Sequence, residues 1–293
     1  MHSLYHLFSA GAVLLLYSNG ACAAPTARTS SISYIEKYAG CDASQVQKLE
    51  QAFADVHTLV TLAETIDTSK HPWSNYFRKQ GDGKTEDEKY AKAMWKAIAS
   101  PNFKITVTCA TSDNVACKHG RSASKTLEPP SKFVGVLKTD EVYSIAYADP
   151  TPAKNDMTVC PVFFKSDNPE SKNNLNSRHM RAPEGERPSR KGPKKEYWCE
   201  DHKNIKWYEV AAQHILHEMT HFDSVGKQAG LPEYTGKDGV TAHGTDDWKT
   251  TNYIKNARLL ATNWQKDEAK CEKNHEMPPY RNADNIAMSA LGK

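Results

Sequence analysis

The sequence has no apolar run near the ~20 residues that a membrane-spanning helix needs, which excludes an integral helical membrane protein. It has no C-x-x-C pair, so a cysteine-ligated zinc ribbon is not predicted. It has no N-x-S/T sequon, so no N-linked glycan is predicted. The 38 basic and 35 acidic side chains leave a formal charge of only +3, which gives no electrostatic basis for binding nucleic acid. We therefore expect neither a membrane nor a nucleic acid as a partner.

The N-terminus indicates an exported protein. A short apolar run at residues 7–17 is followed by Ala-Cys-Ala-Ala at 21–24, the layout of a secretory signal peptide that is cleaved after Ala23. Cleavage removes one of the seven cysteines, and an even set of six in an exported chain predicts three disulfides. We expect a secreted, extracellular monomer with a signal peptide at 1–23, a short segment at 24–40 and one domain at 41–293.

The order of the predicted elements indicates an α+β single domain. Helical spacing of apolar residues predicts a helix at 43–66 capped by Asp42, and a capping box starts a second helix at Thr85 that continues to Ala99. A small, mostly antiparallel sheet is then predicted from four short β-branched or aromatic segments at 103–109, 133–137, 142–148 and 157–164. Further helices are predicted at 205–223, 246–270 and 282–290.

Residues 165–195 differ from the rest of the chain. They contain four prolines and nine Lys or Arg residues but few apolar side chains, which predicts a basic loop that is too polar to pack. A solvated insertion is the simplest interpretation of this segment, and docking to an acidic partner or surface is the alternative.

The predicted helix at 205–223 contains an H-E-x-x-H motif, His217-Glu218-Met219-Thr220-His221. Two histidines four positions apart lie on one face of a helix, so both imidazoles can reach one zinc ion. Glu218 would lie beside the open position of the metal, where a carboxylate can take a proton from water. The motif predicts one Zn²⁺ per chain, with His217 and His221 as ligands and Glu218 as general base.

A catalytic zinc takes three protein ligands and a water, so two histidines leave the site incomplete. Ser224 and Lys227 exclude the metzincin class, which has Gly and His at these positions. The residues alone leave several third ligands open: Glu233, His243, Asp246, Asp247, Glu268 and Glu272. Asp246 and Asp247 are predicted at the start of a helix, where they would point about 100° apart, so that only one could face the metal.

His243-Gly244-Thr245-Asp246-Asp247 completes a wider pattern, H-E-x-x-H followed by G-T-x-D. In this pattern the chain resembles the deuterolysin-like (aspzincin) metallopeptidases, which are secreted fungal enzymes. The resemblance implies a zincin-like domain with N-terminal helices, a small sheet and a C-terminal helical part that carries the zinc. It also implies that Asp247 is the third ligand. Thr250 stands at the position of the family's tyrosine, for which Tyr253 is the substitute candidate.

The resemblance also implies an activity and a disulfide pattern. The expected activity is that of a secreted zinc metalloendopeptidase acting on protein or peptide substrates. The alternative is a non-proteolytic secreted zinc-binding protein, since a related fungal group has Arg in place of the catalytic Glu. The expected disulfides pair the cysteines in sequential order: Cys41–Cys109, Cys117–Cys160 and Cys199–Cys271.

Overall fold

The computed structural model describes residues 34–69, 71–78, 85–119, 144–166, 168, 171, 173–175, 209–236, 239–249 and 253–291. The strands are β1 (Ile35–Ala39), β2 (Ile105–Cys109), β3 (Ala146–Ala148), β4 (Asp156–Val159), β5 (Tyr234–Thr235) and β6 (Thr241–Ala242). The helices in the described residues are α1 (Ala43–Ala63), α2 (His71–Ser74), α3 (Glu86–Ala99), α4 (Val115–His119), α5 (Pro161–Phe164), α6 (Ala211–Thr220), α7 (Asp223–Ala229), α8 (Tyr253–Lys266), α9 (Glu268–Lys273) and α10 (Ala283–Leu291). Together they form an α+β single domain, as predicted.

The two N-terminal helices are confirmed, together with their caps. Asp42 accepts hydrogen bonds from the backbone N–H groups of Ser44 and Gln45 at the start of α1. Thr85 caps α3 by accepting from the N–H of Glu88. Each helix buries one apolar face, and α1 packs against α3 and against α6, so these helices form the support on which the later elements rest.

In the described residues the main sheet has the order β1-β2-β4-β3, and for these strands the prediction of a mostly antiparallel sheet is wrong. β1 pairs with β2 and β2 with β4 in parallel, whereas β3 and β4 are antiparallel. A parallel pair needs a long crossover, and α1 to α3 lie between β1 and β2. β1 lies within the segment at 24–40, so the sheet begins before Cys41.

Two of the four predicted strand segments differ from the structure. The segment at 142–148 contains the shorter β3, and the segment at 157–164 contains the end of β4 followed by α5. The helix begins at Pro161 because proline supplies the helical φ angle at a first-turn position and has no N–H to lose. β2 confirms the segment at 103–109, and the segment at 133–137 lies outside the described residues.

The beginning of the basic loop packs against the domain, contrary to the prediction that residues 165–195 do not pack. Ser171, Asn173 and Leu175 are buried. The N–H of Leu175 donates to the Asp55 carboxylate on α1, at 3.0 Å, and the Asn173 carbonyl accepts from the N–H of Ala211 at the start of α6. The side chains of Ser171 and Asn173 donate to the backbone carbonyls of Phe163 and Glu209, so the polar groups of this stretch are paired within the domain. The remainder of the loop, from 176, lies outside the described residues.

The C-terminal part is helical, as predicted, but its boundaries differ. Within the predicted helix at 205–223, α6 extends from Ala211 to Thr220 and α7 begins at Asp223, whereas residues 205–208 lie outside the described residues. The predicted helix at 246–270 contains α8 and the beginning of α9. α8 begins at Tyr253, because Asp246 instead forms a β-bridge with Asn282. The N–H of Asp246 donates to the Arg281 carbonyl, and the carbonyl of Asp246 accepts from the N–H of Ala283. These two bonds hold the chain extended at Asp246. α10 confirms the last predicted helix.

Two of the three predicted disulfides are present, Cys41–Cys109 and Cys117–Cys160. The first joins the end of β1 to the end of β2. Cys271 is buried, and its predicted partner Cys199 lies outside the described residues, so that the third pairing stays a prediction. In the part of the chain that the structure describes, no helix has the length and hydrophobicity to cross a bilayer.

Replacing both Cys41 and Cys109 by Ala should lower the free energy of unfolding by about 4 kcal/mol, as loop-closure entropy predicts for a bond of this span. The bond joins positions 68 residues apart, so its loss frees a long loop in the unfolded chain. Equilibrium unfolding in urea measures the change. An unchanged unfolding midpoint would contradict this account of the bond.

Candidate metal centre

α6 brings the two histidines of the motif together. Its apolar face is buried through Ile215, Leu216 and Met219, which fixes the helix against the core. His221 is the residue directly after the helix, but its backbone keeps a right-handed helical conformation. The four-residue spacing therefore places both rings on one face, with the Nε2 atoms of His217 and His221 3.2 Å apart.

Asp247 completes the group, as the G-T-x-D resemblance implied. Its Oδ1 lies 3.3 Å from Nε2 of His217 and 3.7 Å from Nε2 of His221. The three ligand atoms all lie within 4.8 Å of one another. His217, His221 and Asp247 thus form a group that can hold a metal ion.

Both histidines are oriented through their second ring nitrogen. Nδ1 of His217 lies 2.8 Å from the carboxylate Oδ1 of Asp284, and Nδ1 of His221 donates to the carbonyl of Thr245 at 2.9 Å. A carbonyl can only accept, so Nδ1 of His221 carries the proton and Nε2 presents its lone pair to the centre of the group. Partners of this kind are typical of histidines that bind metal.

The segment that carries Asp247 docks directly on the end of α6. The Thr245 N–H donates to the Thr220 carbonyl at 2.9 Å, and the hydroxyls of these threonines lie 2.7 Å apart. Gly244 passes so close to the His221 carbonyl that a Cβ atom would lie 2.1 Å from the oxygen. Only glycine fits there, so the G-T pair sets the distance between the segment and the histidine helix.

The other candidate ligands lie elsewhere. Nδ1 of His243 donates to Asp223 at 2.8 Å, and the carboxylate of Asp246 accepts from the N–H of Asp247 at 2.8 Å. Glu268 pairs with Arg78, whereas Glu233 and Glu272 are exposed on the surface. The prediction that Asp246 and Asp247 start a helix is wrong, because the bridge to Asn282 keeps this stretch extended.

Glu218 lies beside the group, with its Oε1 3.9 Å from Nε2 of His217. Burial raises the pKa of its carboxyl above the ordinary value, and the nearby histidines oppose that rise. The backbone of Ala148, at the end of β3, donates a hydrogen bond to this carboxylate. The predicted general base thus lies between the metal group and the outer strand of the sheet.

The expected catalytic Tyr253 begins α8, and its side chain lies outside what the structure describes, as does Thr250. Its predicted role stays a prediction.

The charge on His217 depends on its carboxylate neighbours. Burial lowers the pKa of the imidazole, but the charges of Asp284 and Asp247 outweigh burial and raise the pKa well above 6.5. In the metal-free protein His217 therefore binds a proton that a metal ion has to displace.

Sequence reasoning did not identify Asp284 as the partner of His217 or Thr245 as the partner of His221. Asp284 is in the first turn of α10, and Thr245 accepts through its backbone, which no side-chain pattern reveals. The signal for Asp284 was a carboxylate at the start of a strongly apolar helix.

Asp247→Ala should weaken metal binding by more than about a hundredfold, because loss of an outer-sphere partner alone costs about 10- to 100-fold. His243→Ala and Asp246→Ala are matched controls and should cost much less, since neither side chain belongs to the group. Competition titration with a chelator measures the affinities. Loss of metal in His243→Ala with retention in Asp247→Ala would reverse the ligand assignment.

The affinity for Co²⁺ should keep rising above pH 6.5, by up to about tenfold per pH unit, because one proton leaves His217 for each metal bound. A histidine with the ordinary pKa would give an affinity that levels off near that pH. Titrations between pH 6 and 9 test this, with Asp284→Asn expected to move the plateau to lower pH. A wild-type affinity that is flat above pH 6.5 would contradict the raised pKa.

Comparison with protein-family models gives no match for this chain, and comparison with curated proteins gives no significant match. The resemblance to the deuterolysin-like peptidases therefore remains a prediction that depends on the H-E-x-x-H and G-T-x-D residues.

Proposed function

We propose that the protein is a secreted zinc metalloendopeptidase with a zincin-like, deuterolysin-like domain. The observation that carries the proposal is the convergence of His217, His221 and Asp247 with Glu218 beside them. Three protein ligands leave a fourth position for water, which is the arrangement of catalytic rather than structural zinc sites.

Zinc is the metal that best fits the donor atoms. Zinc bonds of 2.0–2.1 Å in a tetrahedron separate the ligand atoms by about 3.3 Å. The three separations here are 3.2, 3.3 and 3.7 Å. Calcium and magnesium prefer oxygen donors, so a group with two imidazoles and one carboxylate favours zinc over either.

Zinc, when bound, makes water acidic enough to react at neutral pH and polarises the scissile carbonyl. In the proposed reaction, the Glu218 carboxylate accepts the proton of the attacking water and passes it to the nitrogen of the leaving amine. Burial of Glu218, which raises the pKa of its carboxyl, suits a group that both accepts and donates a proton. Tyr253 is the proposed stabiliser of the developing charge on the carbonyl oxygen.

We propose that the substrate binds as an added strand along β3. β3 is the last strand in the described sheet, and Ile145 and Asp149 use their backbone groups to bond the β4 side. Since backbone direction alternates along a strand, the backbone groups of Ala146 and Ala148 face the opposite side, where Ala148 bonds the Glu218 carboxylate. A peptide on this edge would pass beside the metal group.

Secretion is supported by two observations. The leader-like sequence at 1–23 is followed by an even number of cysteines, and two disulfides are formed. Structural disulfides persist in oxidising compartments, which include the exterior of the cell.

The second candidate is a secreted zinc-binding protein without proteolytic activity, such as an effector, an allergen or a zinc scavenger. Thr250 favours it, because threonine occupies the position of the family's tyrosine.

Glu218→Gln should keep stoichiometric zinc and lose casein hydrolysis by about a hundredfold or more, because an amide cannot accept the proton. Glu233→Gln, an exposed change of the same type, is the control and should leave hydrolysis unchanged. Zinc content and casein hydrolysis are measured on the mature chain, with and without chelator.

Hydrolysis by Glu218→Gln at the wild-type rate would remove Glu218 as the base. Full zinc occupancy in the wild type and in the variant, without hydrolysis by either, would favour the second candidate.

A further inference from the structure

The Arg281 side chain binds backbone carbonyls of the segment that leads to Asp247. Its guanidinium donates to the carbonyls of His243 and Gly244, at 2.9 and 3.0 Å, and also to that of Pro232. One rigid fork therefore joins two parts of the chain, the start of the β5–β6 hairpin and the residues that dock on α6.

The backbone around Arg281 holds the same segment from the other side. The carbonyl of Arg281 accepts from the N–H of Asp246 at 2.9 Å, and Oδ1 of Asn282 accepts from the N–H of Trp248 at 3.0 Å. Asp247 lies between these two bonds, so the position of its backbone is set by residues 281 and 282. Two positions further along, Asp284 contacts His217.

Arg281 is only 2% exposed, and within the described residues no carboxylate forms an ion pair with it. The rings of Tyr234 and Tyr280 lie 5.5 and 5.9 Å from its guanidinium carbon. Burying a charge is costly unless its donors are satisfied. The buried guanidinium is therefore stable only when the three carbonyls lie within hydrogen-bonding distance of it. The fold thus favours the backbone conformation that places them there.

We propose that Arg281 is a positioning residue for the metal centre, which sets Asp247 at bonding distance from the two histidine ligands by fixing the carbonyls of residues 232, 243 and 244. The inference rests on the proposed metal site. Arg281 thereby contributes to zinc affinity, although its guanidinium donates to backbone carbonyls and not to His217, His221 or Asp247.

Charge and positioning make opposite predictions for a change at Arg281. A buried positive charge repels a divalent cation in the same part of the fold, so loss of the charge alone would tighten zinc binding. Loss of the guanidinium hydrogen bonds would displace Asp247 and weaken zinc binding. The sign of the change therefore separates the two effects.

The experiment compares Arg281→Lys and Arg281→Met with Arg78→Lys, the matched control. Arg78 is also buried, at 7% exposure, and also makes several bonds, but to Asp87 and Glu268 away from the metal group. For each variant we would measure the thermal midpoint of the metal-free form, the zinc affinity by chelator competition, and the visible spectrum with Co²⁺ in place of zinc.

We expect the two Arg281 variants to bind zinc about 10- to 100-fold more weakly, the usual cost of losing an outer-sphere partner, and to change the Co²⁺ spectrum. Arg78→Lys should lower the thermal midpoint and leave zinc affinity and spectrum as in the wild type. If the Arg281 variants do not fold, Asn282→Ala removes the acceptor for Trp248 and should weaken zinc binding in the same way.

Wild-type zinc affinity in the folded Arg281 or Asn282 variants, or tighter binding in Arg281→Met, would overturn the positioning role alone. An equal loss in Arg78→Lys would overturn it too, because the effect would then be general destabilisation. A wild-type protein that binds no zinc would instead overturn the proposed function, and the inference with it.

Discussion

The close contact between Gly244-Thr245 and the end of α6 is the constraint on which the candidate site depends. Backbone groups meet there without an intervening side chain, since a Cβ at Gly244 would lie 2.1 Å from the His221 carbonyl oxygen. At that distance Thr245 can bond both the Thr220 backbone and the ring of His221. Asp247 then follows at the position where its carboxylate meets both imidazoles.

The site is therefore held before any metal arrives. Each histidine has an acceptor at Nδ1, and the segment with Asp247 is bonded on one side to α6 and on the other to residues 281–283. A preorganised group loses little conformational freedom when it binds, so more of the bond energy appears as affinity. In the metal-free state, placing the negative charges of Asp284 and Asp247 close together costs free energy. A proton on His217 offsets this cost.

The sheet relates the metal group to the proposed substrate. The parallel strands β1 and β2 are joined by a crossover that carries α1 to α3, and α1 packs against α6. β3 pairs antiparallel at the end of the sheet and contacts α6. The Ala148 backbone thus reaches Glu218, so the strand at which we propose substrate binding and the proposed base are in direct contact.

The features that could be predicted correctly are those that depend on residues close together in the chain. The caps at Asp42 and Thr85, the periodicity of α1 and α3 and the H-E-x-x-H spacing are each contained within a few residues, so they could be predicted. The features that could not be predicted depend on contacts between residues that are far apart in the chain. The parallel pairing of β1 follows from its crossover, the extended conformation at Asp246 follows from the bridge to Asn282, and the partners Asp284 and Arg281 meet the site only after α10 has packed. G-T-x-D indicated the third member of the candidate metal group through a resemblance, but its physical reason, a glycine forced by the approach of two backbones, is visible only in the folded chain.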